Sequence, residues 1–285
     1  MSQWVVVERD RRDLLGEGVW WSAREGAVYW VDIIGQKVNR LGLASGAVQD
    51  WDLPEMTGWV IGRVAHEGFI AGTKSGFHAL TLEPFAITPI AAPEPDLAGN
   101  RMNDACTDAQ GRIWAGTMSM DGSRADGALY RLNADHSWHR MDSPYNIANG
   151  PTISPDGRWL YHTDSALGQV YRFALQDDGS LGPRENFISF PDVWGSPDGM
   201  VVDREGGIWI AHWGGGCVSR FTPDGERERW IDLPASQITK PCFAGENLDR
   251  LFVTSAADGV DEPLAGSLFE VECGAVGLAP TLFAG

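Results

Sequence analysis

A six-fold internal repeat constrains this chain more than any other feature. Asn103-Asp104-Ala105 leads into Asp108-Ala109-Gln110-Gly111-Arg112-Ile113-Trp114, and Asn149-Gly150-Pro151 leads into Ser154-Pro155-Asp156-Gly157-Arg158-Trp159. Asp198-Gly199-Met200 leads into Asp203-Arg204-Glu205-Gly206-Gly207-Ile208-Trp209. Gly58-Trp59-Val60, followed by Gly68-Phe69-Ile70, is a fourth copy, and looser copies begin at Glu17 and Lys240. The phase points 17, 58, 103, 149, 198 and 240 lie 41, 45, 46, 49 and 42 residues apart. Each copy reads strand, Asp/Gly turn, strand: short β-branched and aromatic runs such as Val28-Tyr29-Trp30-Val31 sit between turn residues, with no long helical period. A four-stranded antiparallel blade takes about 40–50 residues. The sequence therefore predicts an all-β fold, a six-bladed β-propeller with four-stranded antiparallel blades, as a single domain over residues 1–285. Trp4-Val5-Val6-Val7 is expected to pair with the last blade and close the ring, removing two sheet edges. A WD40 propeller is not expected, because Trp51-Asp52 is not repeated at phase.

Composition narrows the partners. The chain has 22 Lys and Arg against 39 Asp and Glu, a net charge of −17. Nucleic acid is excluded, since phosphate binding needs clustered cations. No run of about 18 apolar residues exists to span a membrane. Residues 1–13 carry no apolar core of a secretory signal, so a cytoplasmic location is expected. The four cysteines (Cys106, Cys217, Cys242, Cys273) form no C-x-x-C pair and read as small buried thiols. No Gly-x-Ser-x-Gly elbow, zinc-binding His-Glu-x-x-His, Walker loop or Rossmann fingerprint occurs. Gly214-Gly215-Gly216 reads as a tight turn within a blade.

The phase positions carry the chemistry. Glu17, Gly58, Asn103, Asn149, Asp198 and Lys240 open the inner strands, and ring symmetry brings them together near the axis at one mouth. Two carboxylates converging there repel each other unless a cation lies between them. Two readings stay open at this point: a divalent ion held by Glu17, Asn149 and Asp198, or a buried polar plug of turn-forming residues. Such oxygen donors suit Ca²⁺, Mg²⁺ or Mn²⁺ and accommodate Zn²⁺ or Fe²⁺. Second strands running back to the same mouth are expected to place Thr117, Met118, Asp121, Thr163, Asp164, His212 and Trp213 there, with Arg101 reaching in. That lining suits a small polyhydroxylated ligand. His162 and His212 read as rim or strand-end histidines.

At these residues the sequence resembles the SMP-30/gluconolactonase/LRE family. The matching pieces are Leu15-Gly16-Glu17-Gly18, Arg101-Met102-Asn103-Asp104, Ala115-Gly116-Thr117-Met118, Asn149-Gly150-Pro151, Ser154-Pro155-Asp156-Gly157, Pro197-Asp198-Gly199 and Lys240-Pro241-Cys242-Phe243. They run in family order from about residue 15 to 255. The resemblance implies a six-bladed propeller and one divalent metal ion bound by Glu17, Asn149 and Asp198. It further implies Arg101, Asn103 and Asp121 as substrate contacts. Asp198, if it holds the ion through one oxygen, leaves the other free to take a proton from water as the catalytic base. The activity implied is a carboxylic-ester hydrolase that opens a small sugar (aldono-) lactone to the aldonic acid in sugar catabolism. Two other outcomes are carried on the same scaffold: a non-catalytic Ca²⁺- or metal-binding regulatory protein, and a metal-dependent organophosphate or ester hydrolase. Two positions depart from the family pattern: Val19-Trp20-Trp21 follows Gly-Glu-Gly where Pro is common, and Asp121 stands where a longer Glu is often found.

Overall fold

The computed structural model describes residues 3–285. Six four-stranded antiparallel sheets surround a central axis. Their inner strands are Gly16–Ser22, Thr57–Gly62, Asn100–Thr107, Ala148–Ile153, Ser196–Val202 and Ile238–Ala244, which define blades 1 to 6. The predicted six-bladed propeller is the observed fold. In blades 1 to 5 the four strands follow one another in the chain; blade 6 takes its outermost strand, Trp4–Val6, from the N-terminus. Trp4 pairs with Val271, Val5 with Glu270 and Val6 with Phe269, so the two ends of the chain share one sheet. The ring is closed by backbone hydrogen bonds, and the edges that an open arc would expose are gone.

Six of the thirteen tryptophans are buried in the core. Trp30, Trp59, Trp114 and Trp209 are fully buried. In two blades the Asp of the Asp-x-x-Gly turn ties the hairpin to its own core. Asp108 accepts from the amides of Gln110 and Arg112 through one oxygen and from Trp114 Nε1 at 2.9 Å through the other. Asp203 repeats the arrangement with Glu205, Gly207 and Trp209. A turn and a core indole six residues later thus share one carboxylate, the physical basis of the repeat seen in the sequence. All four cysteines are free. No helix among the described residues is long and apolar enough to cross a membrane.

The last residues of the chain form no strand of a blade. They run across the end of the channel opposite the phase positions, hydrogen-bonding to blades on both sides of the axis. Arg204 N donates to Val276 O and Gly277 N to Leu248 O on the side of blades 5 and 6; Phe283 N donates to Gly62 O and Ala284 N to Gly111 O on the side of blades 2 and 3. Residues 278–281 border a cavity of about 590 Å³ that the inner strands of all six blades line. Phe283 is fully buried and anchors this strap. Phe283→Ala is therefore expected to lower the unfolding free energy by about 3–5 kcal/mol, the usual cost of emptying a buried phenylalanine site, measured by denaturant unfolding.

Candidate functional site

The inner strand of every blade loses register with its neighbour at the same place. The breaks lie between Glu17 and Trp20, Thr57 and Trp59, Met102 and Ala105, Asn149 and Thr152, Pro197 and Met200, and Ile238 and Pro241. A bulge re-aims the side chains beside it, and each phase residue sits at or next to one. The bulges also bring neighbouring inner strands into backbone contact. Gly18 and Gly150 adopt positive φ (56° and 47°), and a Cβ on them would lie 2.5 Å from Gly58 O and 2.6 Å from Asp198 O. Glycine is required there for both conformation and space.

Ionisable groups collect at this hub. Glu17, Asn103, Asn149 and Asp198 are all buried. Asn149 Nδ2 donates to Asp198 Oδ1, while Asn149 Oδ1 accepts from Gly150 N at 2.9 Å. Glu17 Oε2 accepts from Gly18 N at 2.8 Å. Burial, Asp104 beside it and the opposing pull of Lys240 leave the Glu17 carboxyl raised to about 8. Burial and then the charge of Glu17 raise Asp198 well above the usual carboxylate range. Asp198 thus feels Glu17, and Glu17 feels Asp104. Arg101 donates through Nη1 to Asn103 Oδ1 at 2.5 Å and to Met102 O at 3.1 Å, and Asn103 Nδ2 donates to Ala148 O at 3.0 Å. Burial lowers Arg101 to about 10, against the raising effect of Glu17 and Asp198.

A family model described as the SMP-30/gluconolactonase/LRE-like region matches residues 15–257. The chain belongs to this family. It is 35% identical over 279 residues to a 6-deoxy-6-sulfogluconolactonase of Pseudomonas putida, covering 95% of this chain and 96% of that one. An L-arabinolactonase of Azospirillum brasilense is also 35% identical, over 97% of this chain and 94% of its own. Among solved structures, a calcium-binding protein, regucalcin, from Agrobacterium tumefaciens superposes with a TM-score of 0.93 at 30% identity, covering 98% of this chain and 96% of the other.

Within this SMP-30-like propeller the hub holds more charge than the sequence reading assigned. Lys240 donates to Asp104 Oδ1 and, at 3.2 Å, to Ala105 O, forming a buried ion pair between residues 136 positions apart. Asp104 Oδ2 is buried with no partner. The Asn103-Asp104 pair beside a phase residue was the available signal for it. Together Glu17, Asp104 and Asp198 oppose Arg101 and Lys240, three acids against two bases. Among the described residues no three His, Cys, Asp or Glu side chains gather to hold a metal ion by themselves. A hard-cation site at the hub therefore needs the amide oxygen of Asn149 beside the oxygens of Glu17 and Asp198.

Two other expectations meet different surroundings. Asp121 lies exposed on the loop after strand Ile113–Ser119, its Oδ1 accepting from Ser123 N at 3.1 Å. The structure does not bring it into the buried cluster. His162 and His212 are buried rather than on the rim. Gly116 has no side chain, and that gap admits His162: a Cβ at Gly116 would meet His162 Nε2 at 3.2 Å. The His162 ring packs edge-on to Tyr145 with centroids 4.6 Å apart, and burial pushes its pKa down to about 3. His212 Nδ1 donates to Trp194 O at 2.8 Å, and burial brings it to about 4. Both are neutral core groups at pH 7. Gly214-Gly215-Gly216 is the tight turn expected, between strands Ile208–Trp213 and Cys217–Phe221.

The raised Glu17 carboxyl sets a pH dependence. Its folded pKa of about 8 exceeds the ordinary glutamate value of 4.5, so the folded state binds the proton more tightly than the unfolded one. The stability this gives is fully present below about 4.5 and is lost as pH rises through about 8, at up to about 1.4 kcal/mol per pH unit for one proton. In EDTA, the wild type is expected to lose melting temperature between pH 5 and 8 relative to Glu17→Gln. Parallel melting curves for the two proteins would remove the buried-charge account.

Proposed function

We propose that this protein is a metal-dependent sugar lactonase that hydrolyses an aldonolactone to the aldonic acid. The observation that carries the reading is the convergence of Glu17, Asn149 and Asp198 at the hub beside Arg101 and Asn103. Full-length similarity to an L-arabinolactonase and a 6-deoxy-6-sulfogluconolactonase supports it. The oxygens of Glu17, Asn149 and Asp198 would hold one divalent cation, and their chemistry fits it: two buried carboxylates, each raised by burial and by a neighbouring acid, are relieved by a positive charge. Similarity to a protein described as calcium-binding supports a divalent ion. When bound, such an ion polarises the lactone carbonyl and acidifies a nearby water.

The chain's own residues account for the remaining steps. Asp198 takes one proton from the attacking water, whose oxygen forms the new bond to the carbonyl carbon. The bond from that carbon to the ring oxygen breaks, and Asp198 returns the proton to the departing alkoxide. General acid–base transfer of this kind contributes about 10²–10⁴-fold. Arg101 would steady the negative charge that develops on the departing ring oxygen, a charge-assisted contact. Asn103, held by Arg101 and Ala148 O, orients the carbonyl. Inner strands supply all of these groups, so the site is pre-ordered rather than assembled by loop closure.

Proton release on a panel of sugar lactones tests the reading. The wild type is expected to acidify the solution faster than spontaneous hydrolysis, and Asp198→Asn to fold while losing about 10²-fold or more of kcat. Activity is expected to disappear on dialysis against EDTA and to return with a divalent salt. A folded protein that accelerates no lactone is a binding protein. Turnover unaffected by exhaustive chelation would remove the metal from the mechanism.

A further inference from the structure

A second cavity opens at the phase-position mouth between blades 2 and 3, with a volume of about 440 Å³, large enough for a monosaccharide-sized ligand. Its lining includes Glu55, Lys74, Glu94, Asn100, Arg101 and Thr117. Arg101 belongs also to the buried hub, so this cavity continues outward from the candidate reaction centre. Glu94 comes from the connection between blades 2 and 3, a segment outside the repeat. Three donors fix its carboxylate: Thr117 Oγ1 at 2.7 Å and Tyr130 OH at 3.0 Å on Oε1, and Asn100 Nδ2 at 3.0 Å on Oε2. A carboxylate accepts at about four positions, so one position on Oε2 is left for a ligand. Asn100 is itself held, its Oδ1 accepting from Arg124 Nη2 at 3.1 Å. The acceptor is therefore oriented before any ligand arrives. Asp121, by contrast, is not part of this lining.

We propose that Glu94 is the residue that reads the ring hydroxyls of the substrate, a specificity-determining carboxylate in the position the sequence reading gave to Asp121. This inference rests on the lactonase reading and deepens it: the substrate class is a polyhydroxylated lactone, selected against lactones whose ring carries no hydroxyl. Glu94 is half-buried, and a hydroxyl that pairs with its free Oε2 position adds binding that an analogue lacking the hydroxyl forgoes. The discrimination arises from binding, since Glu94 stands with the outer cavity and not with the carboxylates of the hub.

The test compares D-glucono-1,5-lactone with δ-valerolactone, which has the ring ester and no hydroxyls, on the metal-replete full chain. Glu94→Gln is expected to raise KM for gluconolactone about ten-fold or more and to change kcat by less than about three-fold. Its kcat/KM for δ-valerolactone is expected to stay within about two-fold of wild type. Should Glu94→Gln melt far below wild type, Glu94→Asp carries the same test, because it keeps the charge and withdraws it by one methylene. An equal fall on both lactones, unchanged constants on both, or the hydroxyl-selective loss appearing in Asp121→Asn instead would overturn the proposal. A wild type inactive on both substrates overturns the lactonase reading separately. Calorimetric binding of D-gluconate, weakened about ten-fold by Glu94→Gln or not, then decides Glu94 by itself.

Discussion

Charge buried around a single axis is what the rest of this propeller must accommodate. Glu17, Asp104 and Asp198 lie within mutual reach of Arg101 and Lys240, all largely withdrawn from water. Lys240 pairs with Asp104, whereas Arg101 donates to Asn103 and to the Met102 carbonyl, so three acids share two bases. The mismatch appears as carboxyls that hold their protons to unusually high pH. Burying an unpaired charge costs several kcal/mol, and the protein tolerates this only because the surrounding scaffold is a closed ring of hydrogen-bonded strands. The bulge repeated in every inner strand is how six hairpin stacks turn their polar residues inward without opening the ladder elsewhere.

Most of this architecture was legible in the chain, because the repeat has a local cause. One Asp serving a tight turn and a core Trp six residues later writes the same short word into two blades, and the word survives without any knowledge of distant contacts. The axial residues were legible for the same reason: Glu17, Asn149 and Asp198 occupy equivalent positions, and equivalence in a ring means proximity. What the pattern could not convey was pairing across the ring. Lys240 meets Asp104 from the far side of the hub, and nothing local at either residue names the other.

The remaining differences come from segments that the repeat does not govern. Asp121 was placed by counting along a second strand, but it lies past the strand's end, where the loop turns outward and Ser123 caps its carboxylate. Glu94 was passed over because the connection carrying it obeys no period. Only the folded chain shows Thr117, Tyr130 and Asn100 closing on it from the next blade. His162 is a further case, since its burial follows from an absent side chain at Gly116 and not from any property of histidine.

The strap over the far end of the channel makes the wheel chemically one-sided. Residues 277–283 lie across the axle on the face away from the carboxylates, tied by backbone bonds to opposite sectors of the rim. Each end of the axle thus has its own character: one is ringed by polar side chains of the inner strands, the other is crossed by a tether of main chain.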